Sequence, residues 1–209
     1  MKLTKYEHAC FTVEKDGHLL VVDPGNFSGD FIPPANVTAV VVTHQHADHF
    51  DPDILSAIYN KNPQSLLIAD QAIIDLMPDH RGQAVAAGEK IAIPEFDLEF
   101  FGGKHAEIHA SIPPTHNLGV LINDLLYYPG DSLTIPDRSV DTLALPAAAP
   151  WLKIGEAMDF LLAVKPRFAF PTHDAILSEL GKELSDAMLS RTAKGAGIEY
   201  QRLQSDIVI

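Results

Sequence analysis

Residues 37–49 restrict this chain more than any other stretch. Val37 to Thr43 is a nearly unbroken β-branched run, the pattern of a strand buried on both faces. It leads directly into Thr43-His44-Gln45-His46-Ala47-Asp48-His49, so three of the ten histidines fall within six residues. In an extended continuation of the strand, His44 and His46 project to the same side. The chain must then turn, and Asp48 and His49 can face back from the loop. Asp51 can cap a helix whose first position suits Pro52. The histidine loop is therefore pinned between a buried strand and a capped helix. Imidazole and carboxylate donors suit zinc, iron(II), manganese or cobalt rather than calcium. One metal would use two or three of these groups and leave a position for water. Four groups in one loop are enough to begin two adjacent sites.

The rest of the chain reads as a layered α/β or α+β fold. Lys2–Tyr6, Cys10–Glu14 and Leu19–Val22 alternate as strands, and Asp16-Gly17 marks a hairpin between the last two. Leu66–Ala69 is a short strand and Gln71–Met77 a short helix capped by Asp70. Strands dominate from Glu89 to Tyr128, with a second hairpin at Asn123-Asp124, and Val140–Leu145 follows. A helix is expected from Lys153 to Val164, its apolar stripe Ile154, Ala157, Met158, Leu161 and Leu162. Phe168–Phe170 is a strand. Ile176–Arg191 reads as a helix with Leu177, Leu180, Leu184 and Met188 inward, and Ile198–Leu203 as a last strand. Asp79-His80-Arg81-Gly82 reads as a solvated turn. With 209 residues, 46% of them hydrophobic, and no linker or internal repeat, the chain is expected to form one domain over 1–209.

Composition narrows the partners. The net charge of −13 disfavours a nucleic-acid backbone and an anionic membrane surface. A small-molecule substrate is expected instead. The apolar runs are strand-sized, and the first residues do not resemble a signal peptide. A cytoplasmic location is expected, with the single cysteine, Cys10, a small buried residue. One cysteine excludes a zinc site built on two or more thiolates. The sequence leaves the oligomeric state open.

His44-x-His46-x-Asp48-His49 resembles the signature of the metallo-β-lactamase superfamily. Asp23, at the end of Leu19–Val22, resembles its acidic first motif. His105, after Leu98–Phe101, resembles the third, Asp131 in Tyr127-Tyr128-Pro129-Gly130-Asp131-Ser132 the fourth, and His173 in Phe170-Pro171-Thr172-His173 the fifth. Tyr6-Glu7-His8-Ala9-Cys10-Phe11 and Asn117-Leu118-Gly119 are similar to its compact ascorbate-6-phosphate lactonase-like group.

The resemblance implies a four-layer αββα sandwich and a metal-dependent hydrolase of a small ester, lactone or phosphodiester. It implies one metal at His44, His46 and His105, and a second at Asp48, His49 and His173. Asp131 and a water or hydroxide would lie between them. The ions would be zinc, with manganese or iron as alternatives. Asp48 and Asp131 are the expected catalytic carboxylates, and Asp23 would hold a ligand loop from behind. His109 and His116 compete with His105 for the third ligand position. Gly102-Gly103, which allows a tight turn, favours His105. His8, His109 and Trp151 are expected substrate contacts. Lys104, Arg138, Lys153, Lys165 and Arg167 are the nearby cations that could hold an anionic substrate. The alternatives are an iron-dependent redox enzyme on the same fold, a nuclease of the superfamily, and a binding module that has lost activity.

Overall fold

A computed structural model describes every residue from Met1 to Ile209. The chain runs β1 (Lys2–Lys5), β2 (Phe11–Lys15), β3 (His18–Val22), β4 (Val37–Val41), α1 (Pro52–Lys61), β5 (Leu66–Ala69), α2 (Gln71–Leu76) and β6 (Gly82–Ala84). It continues β7 (Lys90–Ile93), β8 (Phe96–Gly102), β9 (Leu118–Ile122), β10 (Leu126–Tyr128), β11 (Thr142–Pro146), α3 (Ile154–Val164), β12 (Phe168–Thr172), α4 (Glu179–Ala196), β13 (Glu199–Tyr200) and β14 (Ile207–Val208).

The strands form two sheets, in the orders β14-β1-β2-β3-β4-β5-β6 and β13-β12-β11-β10-β9-β8-β7. Each is antiparallel in one half and parallel in the other. In the first sheet β3, β4, β5 and β6 are parallel neighbours. In the second β10, β11, β12 and β13 are. Parallel neighbours need crossovers: α1 and α2 supply those of β4–β5 and β5–β6, α3 and α4 those of β11–β12 and β12–β13, and helix-free loops join β3 to β4 and β10 to β11.

The apolar side chains sort into three layers of contact. Leu3, Phe11, Val13, Val22 and Val41 meet Phe96, Phe100, Val120, Tyr128 and Phe170 between the two sheets. Val21, Val40 and Val42 turn outward onto Leu55 and Ile58 of α1 and Ile73 of α2. Leu121, Tyr127, Leu143 and Leu145 turn the other way onto Phe160 and Leu161 of α3 and Leu189 of α4. The order is helix, sheet, sheet, helix: the αββα sandwich that the resemblance implies. The continuous β-branched run is explained directly, because β4 buries both faces.

Several local expectations need correction. Leu180, Leu184 and Met188 do not point inward: they are 67%, 54% and 42% exposed. Ser178 caps α4, accepting from the Gly181 backbone N–H, so the helix starts three residues later than the apolar pattern suggests. Its buried face is Ser185, Leu189 and Ala193. On α3 Leu162 is exposed, and Phe160 takes the inward place. The turn at Asp79–Arg81 leads into a strand, β6, which pairs with β5 through only three residues. Ile198–Leu203 reduces to the two residues of β13. β14, which no sequence signal announced, pairs with β1. No helix is long and apolar enough to cross a membrane.

Candidate metal centre

The chemically distinctive side chains follow the C-terminal ends of strands: Asp23 after β3, His44 to His49 after β4, His105 after β8, Asp131 after β10 and His173 after β12. Crevices outside carboxyl strand ends are where sheets of parallel strands place ligands.

Asp23 is the anchor of the β4 loop. Its Oδ1 accepts from the Thr43 N–H at 2.8 Å, and its Oδ2 accepts from the Thr43 hydroxyl at 2.7 Å. Oδ2 also lies 2.7 Å from His49 Nδ1. The Thr43 hydroxyl is committed as a donor to Asp23, so it accepts from His44 Nδ1–H at 3.0 Å. Two imidazoles are thereby oriented by one buried carboxylate. Gly25 allows this closeness: a Cβ there would sit 2.1 Å from the Asp48 carbonyl carbon and 2.3 Å from the His49 nitrogen. Gly130 plays the same part on the opposite wall. It has φ +60, and a Cβ would fall 2.3 Å from Asn117 Oδ1. That oxygen accepts from the Asp131 N–H at 2.9 Å, while Asn117 Nδ2 donates to the Pro129 carbonyl. Asn117 thus fixes the turn that presents Asp131.

Two further bonds, with that of His49 to Asp23, set the tautomers. His105 Nδ1–H donates to the Ala106 carbonyl at 2.5 Å and His173 Nδ1–H to the Ala148 carbonyl at 2.6 Å. His49 Nδ1–H donates to Asp23. Each ring therefore turns Nε2 inward, where His49, His105 and His173 lie 3.2, 3.3 and 3.1 Å from the Asp131 carboxylate. His173 Nε2 is also 3.2 Å from Asp48 Oδ2. These three Nε2 atoms and Asp131 Oδ1 are buried without a hydrogen-bond partner. Neutral Nε2 and carboxylate oxygen are both acceptors, so a proton or a metal cation must fill the gaps. The donors fall into groups within 4.8 Å: His44, His46 and His105; His44, His49 and Asp131; and His8, Asp48, His49 and His173. An all-nitrogen-and-oxygen set of this kind fits a divalent transition metal.

The structure brings together all seven residues expected as ligands. His109 and His116 stay outside. His109 is exposed and bonded to Ser111, and His116 is exposed 3.5 Å from Asp70. Trp151, expected against substrate, donates from its indole Nε1 to Asp131 Oδ2 at 2.8 Å. His8, also expected against substrate, is wholly buried. Its Nδ1 accepts from the Ala175 N–H, so its Nε2–H donates to Asp48 Oδ2 at 2.9 Å. Its carbonyl holds the His173 N–H. The positions of Thr43 and Ala148 carried no sequence signal. Asn117 was noted in Asn117-Leu118-Gly119 without its role.

Electrostatics follow from this crowding. Burial would raise the Asp131 carboxyl, but His49, His105 and His173 hold it well below the usual range. Asp48 is likewise held down by His173 and His8 against its burial. His44 and His46 are pushed down by burial and by neighbouring imidazoles, which favours the neutral form that ligates. Burial would also lower His49, but Asp131 and Asp23 raise it well above its ordinary value. His173 is raised to about 9, its burial outweighed by Asp131 and Asp48. Without metal, a proton on His173 therefore stabilises the fold fully below pH 6.5, and that contribution is lost as the pH rises through about 9. A metal held by His173 would have to displace this proton. Apparent metal affinity, measured by calorimetric titration, is expected to climb between pH 6.5 and about 9, by up to about tenfold per pH unit for each proton released. A flat profile across that range would contradict the assignment of His173 as a ligand.

Above the cluster lies a cavity of about 150 Å³, reached past His46 and His105 and walled by Lys104, His109, Ile112 and Pro113. The loop between β8 and β9 forms most of it. Arg138 and Arg167, two of the cations considered for substrate, are engaged elsewhere with Glu99 and Asp141.

Residues 2–173 match a family model described as a beta-lactamase superfamily domain. Protein Rv0786c of Mycobacterium tuberculosis is 41% identical over 184 residues, covering 85% of this chain and 86% of that protein. Igni18, a metallo hydrolase from the archaeon Ignicoccus hospitalis, has a similar structure: TM-score 0.74, 18% identity, 100% of this chain and 98% of that one. CmlA, a diiron β-hydroxylase from Streptomyces venezuelae, gives a TM-score of 0.73 at 15% identity over 100% of this chain and 53% of its own. At such identities the two structures show a shared fold.

Proposed function

The chain belongs to the beta-lactamase superfamily, and from that premise we propose that it is a dinuclear metal-dependent hydrolase of a small ester, lactone or phosphodiester. The observation that carries the reading is the set of inward-facing, unpartnered Nε2 atoms around Asp131. His44, His46 and His105 would hold one ion, and Asp48, His49 and His173 the other, with Asp131 shared. Divalent ions held there, zinc first, would supply acidification of bound water toward neutral pH and polarisation of a carbonyl or phosphoryl oxygen.

The chain's own groups do the rest. Trp151 Nε1–H fixes one oxygen of Asp131 and so sets the direction of the shared carboxylate. His8 Nε2–H fixes Asp48 Oδ2, the oxygen that also faces His173. Asp48 is thereby placed to orient the attacking water as an ionised acceptor. Asp23 keeps the β4 loop and the ring of His49 in register. The cavity over His46 and His105 is small, below the roughly 300 Å³ at which drug-sized pockets begin, which supports a small substrate. Lys104 and His109 on its wall suit an anionic or carbonyl-bearing one. The reading keeps a cytoplasmic location, with which the buried free thiol of Cys10 is consistent.

The donor set itself favours one second reading, because imidazole and carboxylate hold iron as readily as zinc. That reading is an iron-dependent redox enzyme. Metal content of the unsupplemented protein by mass spectrometry, with a screen of lactones and phosphodiesters, separates the two. About two equivalents of zinc or manganese with hydrolysis is the expected result. Iron with no hydrolysis would favour the redox reading. No metal uptake under saturating zinc or manganese would defeat both.

A further inference from the structure

Helix α4 carries an outward face that its own chain leaves uncovered. Leu180, Leu184 and Met188 stand on successive turns, 67%, 54% and 42% exposed, and Ile176 extends the stripe beyond the cap at 48%. Ile176, Leu184 and Met188 also border a groove of about 350 Å³ between α4 and the segment leading into α3, lined with them by Leu152, Ile154 and Leu177 and deepened at Gly181. A contiguous apolar stripe rimmed by polar residues is a candidate interaction surface.

The charges on the same face indicate what covers it. α4 makes ion pairs within its own chain through Glu179, Lys182 and Asp186. Glu183, Arg191 and Lys194 are left over. Glu183 lies four residues before Ala187 and Arg191 four residues after it. At 3.6 residues per turn both fall within about 40° of Ala187, as does Lys194. The face is thus acidic toward its start, basic toward its end, apolar along one side, and small at its middle. It is complementary to itself when reversed. In a two-fold contact residue i meets j and j meets i. An axis near Ala187 sets Glu183 of each copy against Arg191 of the other and brings Lys194 over the end bearing Glu179. The small Ala187 lets the helices approach closely at the crossing.

We propose that α4 is a self-association surface, through which two copies of this chain pair with their α4 helices antiparallel about an axis near Ala187. The apolar stripe supplies the buried area, and the Glu183–Arg191 pair, made twice, sets the register.

Sedimentation velocity on the full chain tests this at tens of micromolar. The wild type is expected to sediment as a dimer. Glu183→Arg and Arg191→Glu each place like charges opposite one another twice, and each is expected to weaken pairing at least about tenfold. The double variant, Glu183→Arg with Arg191→Glu, restores both pairs with reversed sign and is expected to recover the dimer. Leu184→Glu is expected to give a monomer. All three positions are exposed, and circular dichroism checks that each variant is folded. A monomeric wild type overturns the proposal. So do single variants that remain dimeric, or a double variant that stays as weak as the singles.

Discussion

Asp131→Ala is expected to lower hydrolysis by about 10³-fold, which corresponds to the several kcal/mol that metal-assisted charge stabilisation supplies. It should also cost the protein about one equivalent of bound metal. Asp131 is the one side chain whose two oxygens face imidazoles of both ligand groups, with His49 on Oδ1 and His105 and His173 on Oδ2. It is 3% exposed, so its two oxygens are committed to these imidazoles rather than to solvent. Its backbone is held independently by Asn117, and Ala106 N–H donates to its carbonyl, so the turn should survive truncation of the side chain. Metal content by mass spectrometry, rates on the best substrate of the screen and a thermal melt check the three parts. Activity within tenfold of wild type would remove Asp131 from the catalytic set.

The second large effect falls on a residue that touches no metal in this assignment. Asp23→Ala is expected to destabilise the protein by about 3–5 kcal/mol, the cost of removing one partner from a buried, charge-assisted network. It should also weaken metal binding by roughly 10–100-fold. Thr43 N–H, the Thr43 hydroxyl and His49 Nδ1–H would all lose their acceptor in a site with no solvent access. Asp23→Asn is informative beside it. The amide can still accept from Thr43 N–H, but its NH₂ then faces the donors of Thr43 and His49, so both variants should fall well below wild type. Denaturant unfolding of the metal-free proteins measures the stability loss, and calorimetric titration measures the metal. A change below about 1 kcal/mol in Asp23→Ala would show that the network is dispensable.

Much of this centre was legible in the sequence because its chemistry is local in the chain. His44, His46, Asp48 and His49 share one loop, and the β-branched run before them places that loop at a strand end. His105, Asp131 and His173 each follow a strand, and the resemblance supplied their order. The supporting groups were harder to see. Ala148 contributes only a carbonyl, and Thr43 acts by relaying between Asp23 and His44. Neither role has a residue-type signature. His8 was expected as a substrate contact only through the resemblance of Tyr6–Phe11, and the fold buries it against Asp48 and His173.

The fold was read through its periodicity, which served well for β4 and α1. It misassigned α4, where Leu180, Leu184 and Met188 compose a stripe as regular as the true core face. Local pattern identifies an apolar face without saying whether the same chain covers it. β6 and β14 are two or three residues long, and their pairing with distant strands has no sequence signal at that length.

The indole bond to Asp131 has a practical consequence. Trp151 is the only tryptophan in the chain, so emission excited beyond the tyrosine absorption comes from a single indole, hydrogen-bonded to the carboxylate at the heart of the cluster. Any event that changes the charge on Asp131 changes the field across that ring. Loading, proton release and turnover at the cluster can therefore be followed optically, in real time and without a label.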